Sequence, residues 1–339
     1  MSSTAATYRA VQVVAPGKFE LAELPVQDPP AGHVRLRVEA CGICHSDFAT
    51  VDNVLPIEFP RVPGHEIVGR IDALGDGVTG WTLGQRVGVG WLGGNCGVCS
   101  SCRHGDFVNC TSQPITGVFT DGGWAEVTIA RATALAAIPD ELEPADAAPL
   151  LCAGVSTFNP LRKSGARPGD LVAVLGIGGL GHLALQYARS AGLRVVAIAR
   201  GEEKREPSLA YGAHHYVDSL TDDVASQLQE MGGAKVIFGT ASSAKAMSEA
   251  IPGLRPGGKL IVIGVPLEPI QASAPDLILG ERSLAGLQAG SAADSEDTLS
   301  YSVLQHVRAS IDTWPLQKAA DAYENTMSNQ ARYRNVIVM

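Results

Sequence analysis

The chain has little of what marks several classes of protein. Aromatic residues make up only 5% of its 339 positions and charged residues 18%, and the formal net charge is -9. A basic excess is therefore absent. That argues against nucleic acid and anionic membrane surfaces, which are bound through clustered Lys and Arg. No run is long and apolar enough to span a bilayer, and residues 1–10 lack the charged-then-apolar pattern of a secretion signal. Repeats and low-complexity stretches are missing as well. Glycine is plentiful at 38 residues and hydrophobic residues reach 45%, the composition of a globular enzyme with a large core and many tight turns. Seven cysteines without a secretion signal point to a reducing compartment, by default the cytoplasm, where thiols hold metal more often than they pair.

The length suits two domains. Up to about residue 152, short β-like runs at 34–40, 68–74 and 86–89 are broken by Gly and Pro, and read as an antiparallel, barrel-like domain. Further on, strand and helix alternate. A strand at 171–175 follows the Pro168-Gly169-Asp170 turn, and a helix covers 181–191. Strands follow at 194–199 and 236–240, with another at 259–265 after a Pro256-Gly257-Gly258 turn. This predicts an α/β fold with a doubly wound parallel sheet over residues 153–297. Residues 298–339, ending in a strand at 335–338, are expected to return to the first domain.

Cys96-x2-Cys99-x2-Cys102-x7-Cys110 places four thiols in a glycine-rich lobe, residues 94–111. Two-residue spacers let neighbouring sulfurs converge on one tetrahedral zinc, and four protein ligands leave no open position for substrate, so the metal would be structural. The alternatives are two disulfides in a secreted knot or an RNA-binding knuckle. The first lacks a signal peptide, and the second lacks the basic and stacking residues it needs. The other cysteines are Cys41, Cys44 and Cys152. Cys44 stands in Cys44-His45-Ser46-Asp47, near Gly64-His65-Glu66 in sequence, and Cys152 in Leu151-Cys152-Ala153-Gly154. Singly, each is weak evidence, because a lone buried cysteine is usually a small hydrophobe.

Gly176-Ile177-Gly178-Gly179-Leu180-Gly181 follows one expected strand and opens a helix. In that setting it reads as a dinucleotide fingerprint whose backbone approaches a pyrophosphate at the helix N-terminus. An acid normally ends the next strand and binds the adenosine ribose. Here Ala199 takes its place, Arg200 follows, and Lys204 comes four residues later. Two cations without the acid suit a 2′-phosphate, although Glu202, Glu203 and Glu206 leave a solvated mixed-charge turn as the plainer alternative.

Taken in order, these motifs resemble the zinc-dependent alcohol dehydrogenases of the medium-chain dehydrogenase/reductase family over essentially the whole chain. The resemblance implies a GroES-like catalytic domain beside a Rossmann domain. It also implies a catalytic zinc on Cys44, His65 and Cys152, the Cys2His pattern known for alcohol dehydrogenases, with one position open to substrate. Glu66 then lies behind that zinc, Asp47 orients His65, Ser46 takes the alcohol proton, and Trp91 walls the substrate pocket. His45, Ser156 and Arg334 fall at cofactor-contacting positions, while Cys41 matches no ligand. Ala49 occupies the place of a histidine that passes the proton to solvent in many relatives. The short stretch from Cys110 to Cys152 is similar to that of tetrameric members, which implies a homotetramer (a homodimer being the alternative). The expectation is two zinc ions per chain and hydride transfer between NADP(H), preferred over NAD(H), and an alcohol with its aldehyde or ketone. Rival readings are an NAD-dependent enzyme, a polyol, amino-alcohol or thiol-adduct dehydrogenase of the same family, and a silent structural relative.

Overall fold

The structure is a computed structural model that describes residues 6–339; part of the N-terminal stretch considered for a secretion signal lies outside these residues. The chain divides into two compact units, Met1–Val155 with Ala289–Met339 and Ser156–Gln288.

The first unit opens with the hairpin β1 (Thr7–Ala15) and β2 (Lys18–Pro25). An antiparallel sheet follows, built from β3 (His33–Ile43), β4 (Glu66–Leu74), β5 (Arg86–Val89), β6 (Val127–Arg131) and β7 (Leu135–Ala137). Strand β3 is central, pairing with β4 along one edge and with β6 along the other. Alternate residues such as Leu36, Ile71 and Val87 turn inward into the core that also holds the fully buried Trp124. This period-2 burial is what one solvated and one packed face require.

The second unit contains β8 (Leu171–Leu175), β9 (Arg194–Ala199), β10 (His215–Asp218), β11 (Ala234–Gly239), β12 (Leu254–Val262) and β13 (Ser283–Gly286), all paired in parallel. Their order, β10-β9-β8-β11-β12-β13, is that of the doubly wound dinucleotide fold. Every residue of β8 is buried, as a parallel strand covered on both faces must be. One expectation is corrected: Pro256-Gly257-Gly258 does not precede a strand but lies inside β12. Gly257, at φ +68°, lets the strand bulge there, and the register with β11 shifts accordingly.

The chain then rejoins the first unit. Strands β14 (Ile311–Pro315) and β15 (Arg334–Val338) extend its sheet, with β15 antiparallel to β3. No helix among the described residues is long and apolar enough to cross a membrane.

Candidate active site and dinucleotide turn

Three strand ends meet in the first unit. Strand β3 ends just before Cys44, β4 begins just after His65, and β15 begins with Arg334. Pairing sets Gly42 opposite Glu66 on one side and Val336 on the other. Cys152 reaches the same place from the end of the 3-10 turn Ala148–Leu151. The ligand atoms of Cys44, His65, Glu66 and Cys152 all lie within 4.8 Å of one another.

Cys44 caps the 3-10 turn His45–Asp47, and this arrangement decides the local geometry. The Cys44 amide donates to Asp47 Oδ2 at 2.9 Å, while Asp47 Oδ1 lies 2.9 Å from His65 Nδ1, a charge contact off the axis of a hydrogen bond. One buried carboxylate therefore ties two candidate ligands together. The Trp91 ring packs edge-on against His65, with centroids 4.8 Å apart. Ser46 is half-buried, and its hydroxyl makes no hydrogen bond among the described residues.

The chemistry of the quartet fits a cation. Tetrahedral zinc with bonds of about 2.3 Å holds two sulfurs about 3.8 Å apart; Cys44 Sγ and Cys152 Sγ are separated by 3.8 Å. Either thiol can donate to the other. The hydrogen bond from Cys152 holds the Cys44 thiol well below its ordinary range, and the same contact together with burial pushes Cys152 well above it. Burial opposes charge on His65, but Asp47 prevails and raises its pKa. His65 Nε2 and Glu66 Oε2 are buried without a hydrogen-bond partner. Leaving such groups unsatisfied costs about 1–3 kcal/mol each, so an ion at this point relieves a real penalty.

Behind the quartet, Glu66 and Arg334 form a fully buried ion pair. Burial pushes the Glu66 carboxyl up to about 7 against the pull of Arg334. The structure thus turns the Arg334 guanidinium toward Glu66, a pairing across 268 positions that no local motif announces. Gly42 was also missed. A Cβ there would sit 1.9 Å from Glu66 Oε2, so only glycine allows the carboxylate to occupy this spot.

The four-cysteine lobe is the second cluster. Its sulfurs lie within 4.8 Å of one another, and all seven cysteines of the chain are free of disulfides. The amides of Cys99 and Cys96 donate to Cys96 Sγ and Cys110 Sγ, both at 3.4 Å. Amide donors from Cys102 and Thr111 lower the Cys99 thiol to about 6, whereas burial pushes Cys102 up to about 12. An array of convergent, amide-solvated sulfurs suits one tetrahedral ion.

In the second unit, the turn after β8 is held from behind. Thr240 Oγ1 donates to the Gly176 carbonyl at 2.6 Å. Gly176 has φ +100°, and a Cβ on Gly181 would meet the Gly176 oxygen at 2.0 Å. A Cβ on Gly178 would meet nothing within 4 Å, so that side of the turn is open. Leu180 caps the helix Gly181–Ser190; Gly179 and Leu180 are half-buried. Ala199 is buried at the end of β9, and Arg200 is exposed with no ion pair or hydrogen bond among the described residues. Half-buried Lys204 donates to the Ile177 carbonyl at 2.8 Å, which brings a cation onto the glycine turn. Ser156 is half-buried in the helix Ala153–Lys163, and His45 is exposed.

Comparison with known proteins agrees with this arrangement. Residues 30–140 match the alcohol dehydrogenase GroES-like domain, and residues 179–303 the zinc-binding dehydrogenase domain. Alcohol dehydrogenase patD of Penicillium expansum is 39% identical over 339 residues, covering 100% of this chain and 99% of that protein. The chain belongs to the zinc-type medium-chain alcohol dehydrogenases. It is an oxidoreductase of that family. Two solved structures of similar fold hold different dinucleotides. One is the CAD from Helicobacter pylori complexed with NADP(H), with TM-score 0.88, 26% identity and 98% of each chain covered. The other is the acetophenone reductase of Geotrichum candidum in complex with NAD, with TM-score 0.87, 25% identity, and coverage of 100% of this chain and 99% of that one.

Proposed function

We propose that this alcohol dehydrogenase uses NADP(H), works mainly as an aldehyde or ketone reductase, and carries two zinc ions. The observation that carries the cofactor choice is the end of β9: the acid is absent at Ala199, Arg200 is unpartnered, and Lys204 is anchored against the glycine turn. Solved relatives are found in complex with either cofactor, so the reading rests on these residues. An acid at this position would repel a doubly charged 2′-phosphate. A guanidinium fork and an ammonium instead attract it, each charge-assisted contact contributing about 1.5–3 kcal/mol.

Cys44, His65 and Cys152 would hold the catalytic zinc, which when bound polarises a substrate oxygen and makes its hydroxyl more acidic. The dinucleotide supplies or takes the hydride. Within the chain, Asp47 fixes the ring of His65 and the backbone of Cys44, and Glu66 with Arg334 supports the cluster from behind. Ser46, with its hydroxyl free, takes the alcohol proton or returns it to the carbonyl oxygen. Trp91 forms one wall of the pocket beside His65. Ala49, buried and apolar, cannot relay the proton further, so the last acceptor must be water or a different group. The second unit also exposes Val265, Leu267 and Leu279. Apolar exposure of this kind is in keeping with the homotetramer that the short Cys110–Cys152 stretch suggests.

The test is the ratio of kcat/KM for NADPH and NADH with one aldehyde, in the wild type, Ala199→Asp and Arg200→Ala. A wild-type ratio favouring NADPH, reduced tenfold or more by either substitution, is the expected result. A wild-type ratio favouring NADH refutes the assignment.

A further inference from the structure

The turn that carries Arg200 is gripped on both sides by the neighbouring strand. Gly201, at φ +78°, offers both its amide and its carbonyl to side chains of β10. Its N–H donates to Asp218 Oδ1 at 2.8 Å, and its carbonyl accepts from Tyr216 Oη. One residue before Arg200, the Ala199 carbonyl accepts from the Ser219 amide at 2.9 Å. Asp218 also receives the Leu220 amide at 2.9 Å, so its carboxylate is occupied by two backbone donors. Tyr216 and Asp218 are both more than nine-tenths buried, and the Arg205 guanidinium lies 4.8 Å above the Tyr216 ring while pairing with Glu202. The backbone on either side of Arg200 is thus fixed, while the Arg200 side chain itself is exposed and uncommitted.

We infer that Tyr216 and Asp218 are positioning residues for cofactor selection, holding the Arg200 turn so that its guanidinium is aimed at the 2′-phosphate of NADP(H). This rests on the NADP(H) reading above. A cation on a loose turn must be ordered on binding, and each immobilised side chain or loop residue weakens the contact it makes. A turn fixed in advance avoids that loss. The effect reaches only ligands that touch Arg200, so it distinguishes cofactors instead of weakening both.

The experiment measures dissociation constants of adenosine 2′,5′-bisphosphate and adenosine 5′-monophosphate by calorimetry on the zinc-loaded protein. Wild type should bind the bisphosphate at least tenfold more tightly. Tyr216→Phe keeps the ring but loses the hydroxyl; it should weaken the bisphosphate roughly three- to tenfold, the loss of about one hydrogen bond, and leave the monophosphate unchanged. In an Arg200→Ala background, Tyr216→Phe should add nothing, because the hydroxyl acts through Arg200. Asp218→Ala should behave like Tyr216→Phe, and Asp218→Asn, which keeps an oxygen to accept the Gly201 amide, should restore binding; this pair decides the matter if Tyr216→Phe does not fold. Equal binding of both nucleotides by wild type would overturn the NADP(H) reading itself. A wild-type preference that Tyr216→Phe and Asp218→Ala leave intact, or that they erode equally for both nucleotides, would overturn the positioning role alone.

Discussion

At the scale of single residues, the candidate site depends on close contacts that tolerate little change. Gly42→Ala would drive a methyl into Glu66 Oε2 and separate the buried Glu66–Arg334 pair. Breaking such a pair strands a charge, so a loss of about 3 kcal/mol is expected, read as a lower urea midpoint, at unchanged slope, for the transition of the first unit. Ser46→Ala should instead leave stability alone and lower kcat by roughly 10²–10⁴-fold, the contribution of one acid–base group. Near-normal turnover by Ser46→Ala would remove Ser46 from the proton path. The segments Cys44-His45-Ser46-Asp47 and Gly64-His65-Glu66 are visible in the sequence as motifs, but only the family resemblance joins Cys44, His65 and Cys152 into one set, which the fold does bring together. Arg334, too, could be placed only by resemblance. Its partner Glu66 is brought to it by strand pairing, and nothing local in either segment records that.

Among elements, the parallel strands β8 and β9 were readable to the residue, since buried strands of five or six apolar residues bounded by Gly and Pro have few other uses. Strand β12 was placed at 259–265 instead of Leu254–Val262; its start was missed because Pro256-Gly257-Gly258 has the composition of a turn, and only the pairing with β11 shows the chain running through a bulge there. The lobe from Cys96 to Cys110 is different again. It contains only two short helical turns, Ser100–Arg103 and Phe107–Asn109, and no strand. Its backbone hydrogen bonds, such as Arg103 to Cys99 and Asp106 to Ser101, close within the lobe itself, so the metal should supply much of its order. Cys99→Ser should therefore reduce bound zinc from two ions to one and make this lobe the first site of proteolytic cleavage. The remaining zinc should still support turnover at low temperature. Elemental analysis that finds a single ion in the wild type would defeat this expectation.

For the whole molecule, two units with separate hydrophobic cores imply that one melting temperature will not describe unfolding. Each unit has its own stabilising ligand. Adenosine 2′,5′-bisphosphate should raise only the transition of the Ser156–Gln288 unit, by about 2.7 kcal/mol at a hundredfold excess over Kd. A chelator should lower only the other. Scanning calorimetry with each additive checks this, and identical shifts of a single peak would show that the units melt as one.

The course of the chain has a consequence for how the protein is made. Strand β15 and Arg334 are encoded after the entire Ser156–Gln288 unit, yet they complete a sheet begun by β3. On the ribosome, the inner unit can therefore finish folding while the outer one still waits with Glu66 uncompensated and residues 40–43 of β3 unpaired on the edge that β15 will take. Nascent chains ordinarily mature from the N-terminus onward; here the first unit to start is the last to close. Chaperone dependence during synthesis should concentrate on that waiting half, and a message truncated before the codon for Arg334 should yield a chain that still binds adenosine nucleotides but never assembles its reaction centre.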